Sequence, residues 1–306
     1  MMDHMEVFQT LGQNMRVLYD EPMADHTTFR VGGPADLMVI PENVEQLRQA
    51  IRLCRDASIP WYVIGNGSNL LVSDKGYRGV VIKICRNMDL IEKEEKGGRL
   101  RVRAGAGVLL ATLARSVCDD GWTGFEFATG IPGTLGGGIT MNAGAYGGEM
   151  SQILSGVTVF TAQGAIEEWP ADRLELGYRK SRIQKEEAIA LEAVMEFEKG
   201  DIGQIRETVR SLAAERRKKQ PLEYPSAGST FKRPEGYFAG KLIQDAGLKG
   251  YRVGGAQVSE KHSGFVINAD HATAADIYQL MRDVGAIVYK KFGVRLEPEV
   301  RLLGEF

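Results

Sequence analysis

The chain has 306 residues, 43% hydrophobic and 25% charged, which gives an ordinary globular composition with material for two or three cores. A formal net charge of −2 argues against a nucleic-acid partner, which a basic excess would mark. No stretch is apolar enough to span a bilayer, and Asp3, Glu6 and other polar residues interrupt any signal-peptide core before Tyr19. Cys54, Cys85 and Cys118 form no closely spaced pair and read as buried thiols of a reducing cytoplasm. The histidines are scattered, so no metal site is expected.

In chain order, Asp36 to Ile40 reads as a short strand ending at Pro41. Asn43 can cap a helix whose apolar positions Val44, Leu47, Ile51 and Cys54 keep helical spacing. An apolar strand at 61–64 follows, then strands at 78–84 and 100–104, the last with Leu100, Val102 and Ala104 inward. Leu109, Leu110, Leu113, Ala114 and Val117 make one helix face closed by Gly121. Strands at 157–160 and 188–197 precede a charged helix over 201–219, with Ile202, Ile205, Val209 and Leu212 inward. Helices near 239–246 and 273–292 belong to a last domain. In the second, Thr273 and Asp276 suggest a capping box, and Ile277, Leu280, Met281, Val284, Ile287 and Val288 line the buried face.

Two glycine clusters interrupt this pattern. From Gly130 to Gly148 there are eight glycines and almost no charge. A solvated linker would be richer in Ser, Lys and Glu. Either a large planar group lies against this main chain or backbones cross at close range. The second cluster, Gly65-Asn66-Gly67-Ser68-Asn69, follows the 61–64 strand, and its glycines allow N–H groups to turn inward as an anion nest. It is not the helix-opening Rossmann fingerprint, because Leu70, Leu71 and Val72 resume an extended apolar run. Together the clusters suit a dinucleotide or flavin bed.

Four polar segments each carry two readings. Arg216-Arg217-Lys218-Lys219 is either a cation-rich last helical turn or a diphosphate contact. Gly177-Tyr178-Arg179-Lys180-Ser181 is a solvated turn or the mount of a guanidinium fork for a carboxylate. In Pro225 to Phe231, Ser229 is a turn residue or presents its hydroxyl to a ligand; no G-x-S-x-G elbow exists for a hydrolase. Over 294–302, Val294, Leu296, Val300 and Leu302 share one strand face and Arg295, Glu297, Glu299 and Arg301 the other. That is an edge strand with paired charges, in keeping with Pro298, or a carboxylate delivered to chemistry. Periodicity does not choose between Glu297 and Glu299.

The ordered set Thr28-Phe29-Arg30-Val31-Gly32-Gly33-Pro34, Gly65 to Asn69, Gly130-Ile131-Pro132-Gly133-Thr134, Tyr178-Arg179-Lys180-Ser181, Ala227 to Lys232 and Leu296 to Arg301 resembles the UDP-N-acetylenolpyruvoylglucosamine reductase family from about residue 20 onward. The resemblance implies an α+β fold: a two-subdomain FAD-binding region of the vanillyl-alcohol-oxidase (PCMH) type, then an α+β substrate-binding domain. The corresponding spans are 1–77, joined again by a returning tail at 298–306, then 78–215, then 216–297. It further implies noncovalent FAD, NADPH as reductant, and hydride transfer from flavin N5 to C3 of the enolpyruvyl group of UDP-N-acetylglucosamine enolpyruvate. A proton delivered to C2 then gives UDP-N-acetylmuramate for peptidoglycan synthesis.

By motif, the resemblance assigns Arg179 and Glu299 to stabilising the enol-like intermediate and Ser229 to donating the proton. FAD contacts fall on Arg30, Gly65, Asn66, Gly67, Ser68, Asn69 and Leu70 and, in and just before the 130–148 cluster, on Ala128, Thr129, Gly130, Ile131, Pro132, Gly133, Gly136, Gly137, Asn142, Ala143 and Gly144. Substrate contacts fall on Tyr178, Lys218, Lys219, Lys232 and Arg233. No nucleic acid or membrane partner is implied. No tyrosine occurs between Ser181 and Tyr224, so the chain looks like the short form that lacks a substrate-closing tyrosine loop. A related flavin oxidase or dehydrogenase of an alcohol or sugar is the alternative. Its covalent-flavin members need a histidine or cysteine by the flavin, and neither glycine cluster contains one.

Overall fold

In the computed structural model, which describes residues 4–306, Asn43 caps the helix Val44–Asp56 by accepting from the Gln46 N–H, and Leu47, Ala50, Ile51 and Cys54 are buried on one side. The strands Arg16–Pro22, Pro34–Ile40, Tyr77–Lys83 and Trp61–Ile64 form a four-stranded sheet in that order. By its contacts the chain divides into two compact units. One holds the chain up to Val17 with Val39–Asn66 and Val81–Arg216; the other holds Leu18–Met38, Gly67–Val80 and Arg217–Phe306.

The first unit contains an antiparallel sheet in which Ile166–Pro170, Leu154–Phe160, Ile189–Lys199, Arg99–Gly105 and Ile91–Lys96 follow one another. Leu100, Val102 and Ala104 are buried as their alternation requires. They pack with Leu110, Leu113 and Val117 of the helix Leu110–Asp119, which ends at Gly121 in a left-handed conformation (φ +82°). The edge strand Ile91–Lys96 is exposed at every position, and its charges blunt an open edge. Its absence from the sequence expectation has a simple cause: with no buried face, it has no apolar alternation.

The second unit is built on the helix Ala274–Phe292. Thr273 and Asp276 make the expected capping box, Asp74 accepts from the Ala274 and Ala275 N–H groups, and Gly293 terminates the helix at φ +70°. Hydrogen bonds from the Thr273 and Gly255 N–H groups hold the Asp276 carboxyl below its ordinary pKa. Ile277, Leu280, Met281, Val284 and Val288 are buried as expected, while Ile287 is only partly so.

Three expectations change. The helix Ile202–Lys219 buries Ile205 alone; Ile202 is exposed because it occupies the first turn, with Val209 and Leu212 half-buried. Cys54 and Cys118 are buried, and burial pushes both thiols up to about 12, whereas Cys85 is only half-buried. The C-terminal strand is short, Arg301–Leu303, and runs parallel to Leu70–Val72. Before it the 294–302 alternation fails: Glu299 is buried and Leu302 exposed. Residues 297–299 are held by the loop at 230–232 and not by a sheet neighbour.

Candidate active site

In the first unit the two glycine clusters meet. Asn66 donates its side-chain amide to the Pro132 carbonyl, and a Cβ at Gly65 would enter the Thr134 side chain. The 130–148 segment is not wholly extended, because Leu135–Thr140 forms a short helix capped by Thr134, whose Oγ1 accepts from the Gly137 N–H at 3.3 Å. Main-chain bonds from Leu110 to Gly133, Leu135 to Val108 and Gly136 to Ala106, all 2.8–2.9 Å, tie the segment to the loop at 106–110.

Glycines here serve two purposes. A Cβ at Gly136 would lie 2.8 Å from the Ala106 Cβ, one at Gly144 2.6 Å from the Gly148 carbonyl, and one at Gly148 inside the Phe127 ring. At Gly144 backbone meets backbone, and at Gly136 and Gly148 a neighbouring side chain packs directly on the main chain. Gly137 is exposed with only Thr134 Oγ1 nearby, and the Cβ position of Gly147 is open. That side of the segment remains available for a planar group to approach the main chain.

Arg216, read from the sequence only as part of the basic run, also reaches this surface. The Arg216 guanidinium lies where a Gly130 side chain would be and stands 5.9 Å from the Tyr146 ring centre. The basic run pointed to this region, but only packing distinguishes Arg216 from the exposed Arg217, Lys218 and Lys219.

Arg179 also belongs to the first unit. It sits with Tyr178 at the tip of a turn closed by reciprocal bonds between Gly177 and Lys180, at 3.1 and 3.0 Å. Its φ of +57° is one that L-residues adopt at a cost, and its guanidinium lies 5.1 Å from the half-exposed Tyr178 ring.

Ser229 and Glu299 belong to the second unit, where the structure brings their segments together. The Glu299 N–H donates to the Thr230 carbonyl at 2.8 Å, Phe231 bridges Pro298, and the Lys232 N–H donates to the Glu297 carbonyl at 2.9 Å. Asn69 completes the arrangement by donating its amide to the Glu299 carbonyl at 3.1 Å while its own carbonyl accepts from the Arg301 N–H. The two glutamates differ in environment: Glu297 is exposed and ion-paired with Lys232, whereas Glu299 is only 9% exposed. Ser229 is exposed, flanked by Gly228 at φ +74° with open space at its Cβ position and by the fully buried Thr230. The Thr230 Oγ1 accepts from the Val266 N–H and its N–H donates to the Gly264 carbonyl, both at 2.9 Å, so the serine's loop is fixed from below. Arg233 lies 4.7 Å over the exposed Phe238 ring.

Gly67 and Arg30 take left-handed φ values of +61° and +56° in the second unit. At Gly67, which the sequence reads as part of an anion nest, the Cβ direction runs into the His26 carbonyl. Gly67→Val is therefore expected to lower the melting temperature of the apoprotein as well as its FAD affinity. Calorimetry with a fluorescence titration checks this, and weakened FAD binding at an unchanged melting temperature would contradict it.

Two family models match successive parts of the chain. The FAD binding domain family matches residues 35–169, and the family described as UDP-N-acetylenolpyruvoylglucosamine reductase, C-terminal domain, matches residues 220–303. UDP-N-acetylenolpyruvoylglucosamine reductase of Alkaliphilus oremlandii is 54% identical over 94% of both chains. Its counterpart in Lachnoclostridium phytofermentans is 52% identical over 95% of this chain and 94% of its own. The crystal structure of the Thermus caldophilus UDP-N-acetylenolpyruvylglucosamine reductase, 32% identical, superposes with a TM-score of 0.77 over 95% of this chain and 99% of that one. The fold is thus α+β, an FAD-binding domain followed by the C-terminal domain of the reductase family. With relatives this similar over nearly the whole length, the chain belongs to the UDP-N-acetylenolpyruvoylglucosamine reductase family.

Proposed function

We propose that this chain catalyses the NADPH-dependent, FAD-mediated reduction of UDP-N-acetylglucosamine enolpyruvate to UDP-N-acetylmuramate, a cytoplasmic step of peptidoglycan synthesis on which cell division depends. The observation that carries the reading is the join between the Ser229 and Glu299 segments, a hydroxyl and a buried carboxyl on adjoining strands of backbone. We divide the chain as 1–77, 78–215 and 216–297, with 298–306 returning to the first part. The parallel pairing of Arg301–Leu303 with Leu70–Val72 supports that return.

The residues present fit FAD. An open, uncharged main-chain surface runs past Gly137 and Gly147, and beside the Gly67 loop the buried Thr28 Oγ1 has no hydrogen-bond partner among the described residues. The two glycine clusters and Arg30 would hold the cofactor noncovalently. When bound, FAD supplies the hydride relay from NADPH to C3 of the enolpyruvyl group. Charge then builds on the substrate carboxylate. The planar Arg179 guanidinium offers it two parallel donors, and a protonated Glu299 offers a third. Ser229 gives its proton to C2, a strongly basic centre, as so weak an acid requires, and its exposure lets solvent restore that proton. Tyr178, Lys218, Lys219 and Arg233 are exposed and suit the UDP moiety; Lys232, paired to Glu297, acts there only if that pair opens.

The purified protein is expected to be yellow, to release all its flavin on acid precipitation, and to bleach with NADPH. A protein that stays colourless after FAD is added, or that keeps flavin in the acid pellet, would refute the noncovalent cofactor.

A further inference from the structure

Asn142 is 1% exposed and adopts φ +41°, a left-handed conformation that asparagine tolerates better than most residues. Both ends of its amide are engaged within the protein. Its Oδ1 accepts from the Ser151 N–H at 3.0 Å, and its Nδ2 donates to the Gly177 carbonyl at 3.2 Å. The Gly177 carbonyl is the same atom that closes the Arg179 turn by accepting from the Lys180 N–H. One amide donor and the amide oxygen are thus directed at the turn and the loop, in a side chain that is almost wholly buried.

The neighbouring anchors converge on the same turn. The Ser181 Oγ donates to the Thr140 carbonyl at 2.7 Å, and the Gln184 amide reaches both that carbonyl and the Arg179 carbonyl. Residues 140–142, at the C-terminal end of the helix of the glycine-rich segment, thus grip the turn at its base and along its C-terminal side. Such gripping is needed, because the left-handed φ of Arg179 persists only where the surroundings over-determine it.

We propose that Asn142 is the positioning residue for Arg179. It fixes the guanidinium in register with the glycine-rich segment and so acts on the substrate step and not on cofactor binding. This rests on the function proposed above. Two variants separate the contributions. Asn142→Asp keeps an acceptor for the Ser151 N–H but turns an acceptor toward the Gly177 carbonyl. Asn142→Gly accepts the backbone angle yet loses both bonds.

In anaerobic stopped-flow, both variants are expected to bind FAD and to be reduced by NADPH nearly as the unmodified chain is. Reoxidation by UDP-N-acetylglucosamine enolpyruvate should slow by about 10²-fold, the scale of an ångström-sized misplacement of a reacting group. In the steady state kcat should fall more than KM rises. Native reoxidation in Asn142→Asp would overturn the proposal. Equal slowing of both halves would do so too, by reducing Asn142 to a structural residue. Lost FAD affinity with normal reoxidation per bound flavin would hand the side chain to the cofactor. If the unmodified chain, once reduced, is not reoxidised by this substrate, the function reading fails first and the inference falls with it.

Discussion

Ser229→Ala is expected to split the catalytic cycle into an intact half and a crippled one. Ser229 is assigned only to protonating the substrate carbon, so NADPH should bleach the flavin at a near-native rate. Reoxidation by UDP-N-acetylglucosamine enolpyruvate should slow by roughly 10²–10⁴-fold, the usual cost of losing a positioned acid. The substitution is mild for the fold: Ser229 is exposed, and its loop is held by Thr230, whose bonds to Gly264 and Val266 do not involve the serine hydroxyl. Ser229→Cys should recover part of the rate, because a thiol is the stronger acid. Equal slowing of both half-reactions would point to a collapsed site, and native reoxidation would leave Ser229 as a turn residue.

The second large effect concerns the groups that meet the substrate carboxylate. Arg179→Lys should stay poor in turnover, falling toward the level of Arg179→Ala, because a point charge does not replace two parallel donors in one plane. At the other position, Glu299→Gln should retain far more activity than Glu299→Ala, since an amide still donates where a protonated acid did. Glu299 is almost buried, so the alanine variant also leaves a cavity; comparing melting temperatures separates that cost from lost catalysis. The kinetic comparison is the kcat of the four variants at saturating substrate. Normal turnover by Arg179→Lys would remove the fork from the mechanism.

Much of this arrangement is legible in the chain before any fold is known, because it depends on neighbours in sequence. The helical spacing of Leu47, Ile51 and Cys54 and the Thr273–Asp276 cap need only one turn of helix to be recognised. The positive φ of Gly67 likewise follows from a tight turn after a strand. What resists reading is set by remote partners. Alternation over 294–302 assumes a sheet neighbour, whereas residues 297–299 bond to 230–232, which buries Glu299 and exposes Glu297. The uncharged glycine stretch left two explanations standing; in the structure Gly136, Gly144 and Gly148 sit at close contacts that admit no Cβ, and the main chain is open at Gly137 and Gly147. Arg216 differs from its basic neighbours only in lying against Gly130. Asn142 revealed its side-chain partners only when the Gly177 turn was folded onto it.

The central claim is that this chain passes a hydride from NADPH to an enolpyruvyl carbon. The most direct measurement is anaerobic: reduce the flavin with NADPH, remove NADP, add UDP-N-acetylglucosamine enolpyruvate, and follow the visible spectrum while identifying the product. Return of the oxidised flavin spectrum, with UDP-N-acetylmuramate formed in proportion to flavin, is the expected result. A flavin that stays reduced in the presence of this substrate would contradict it.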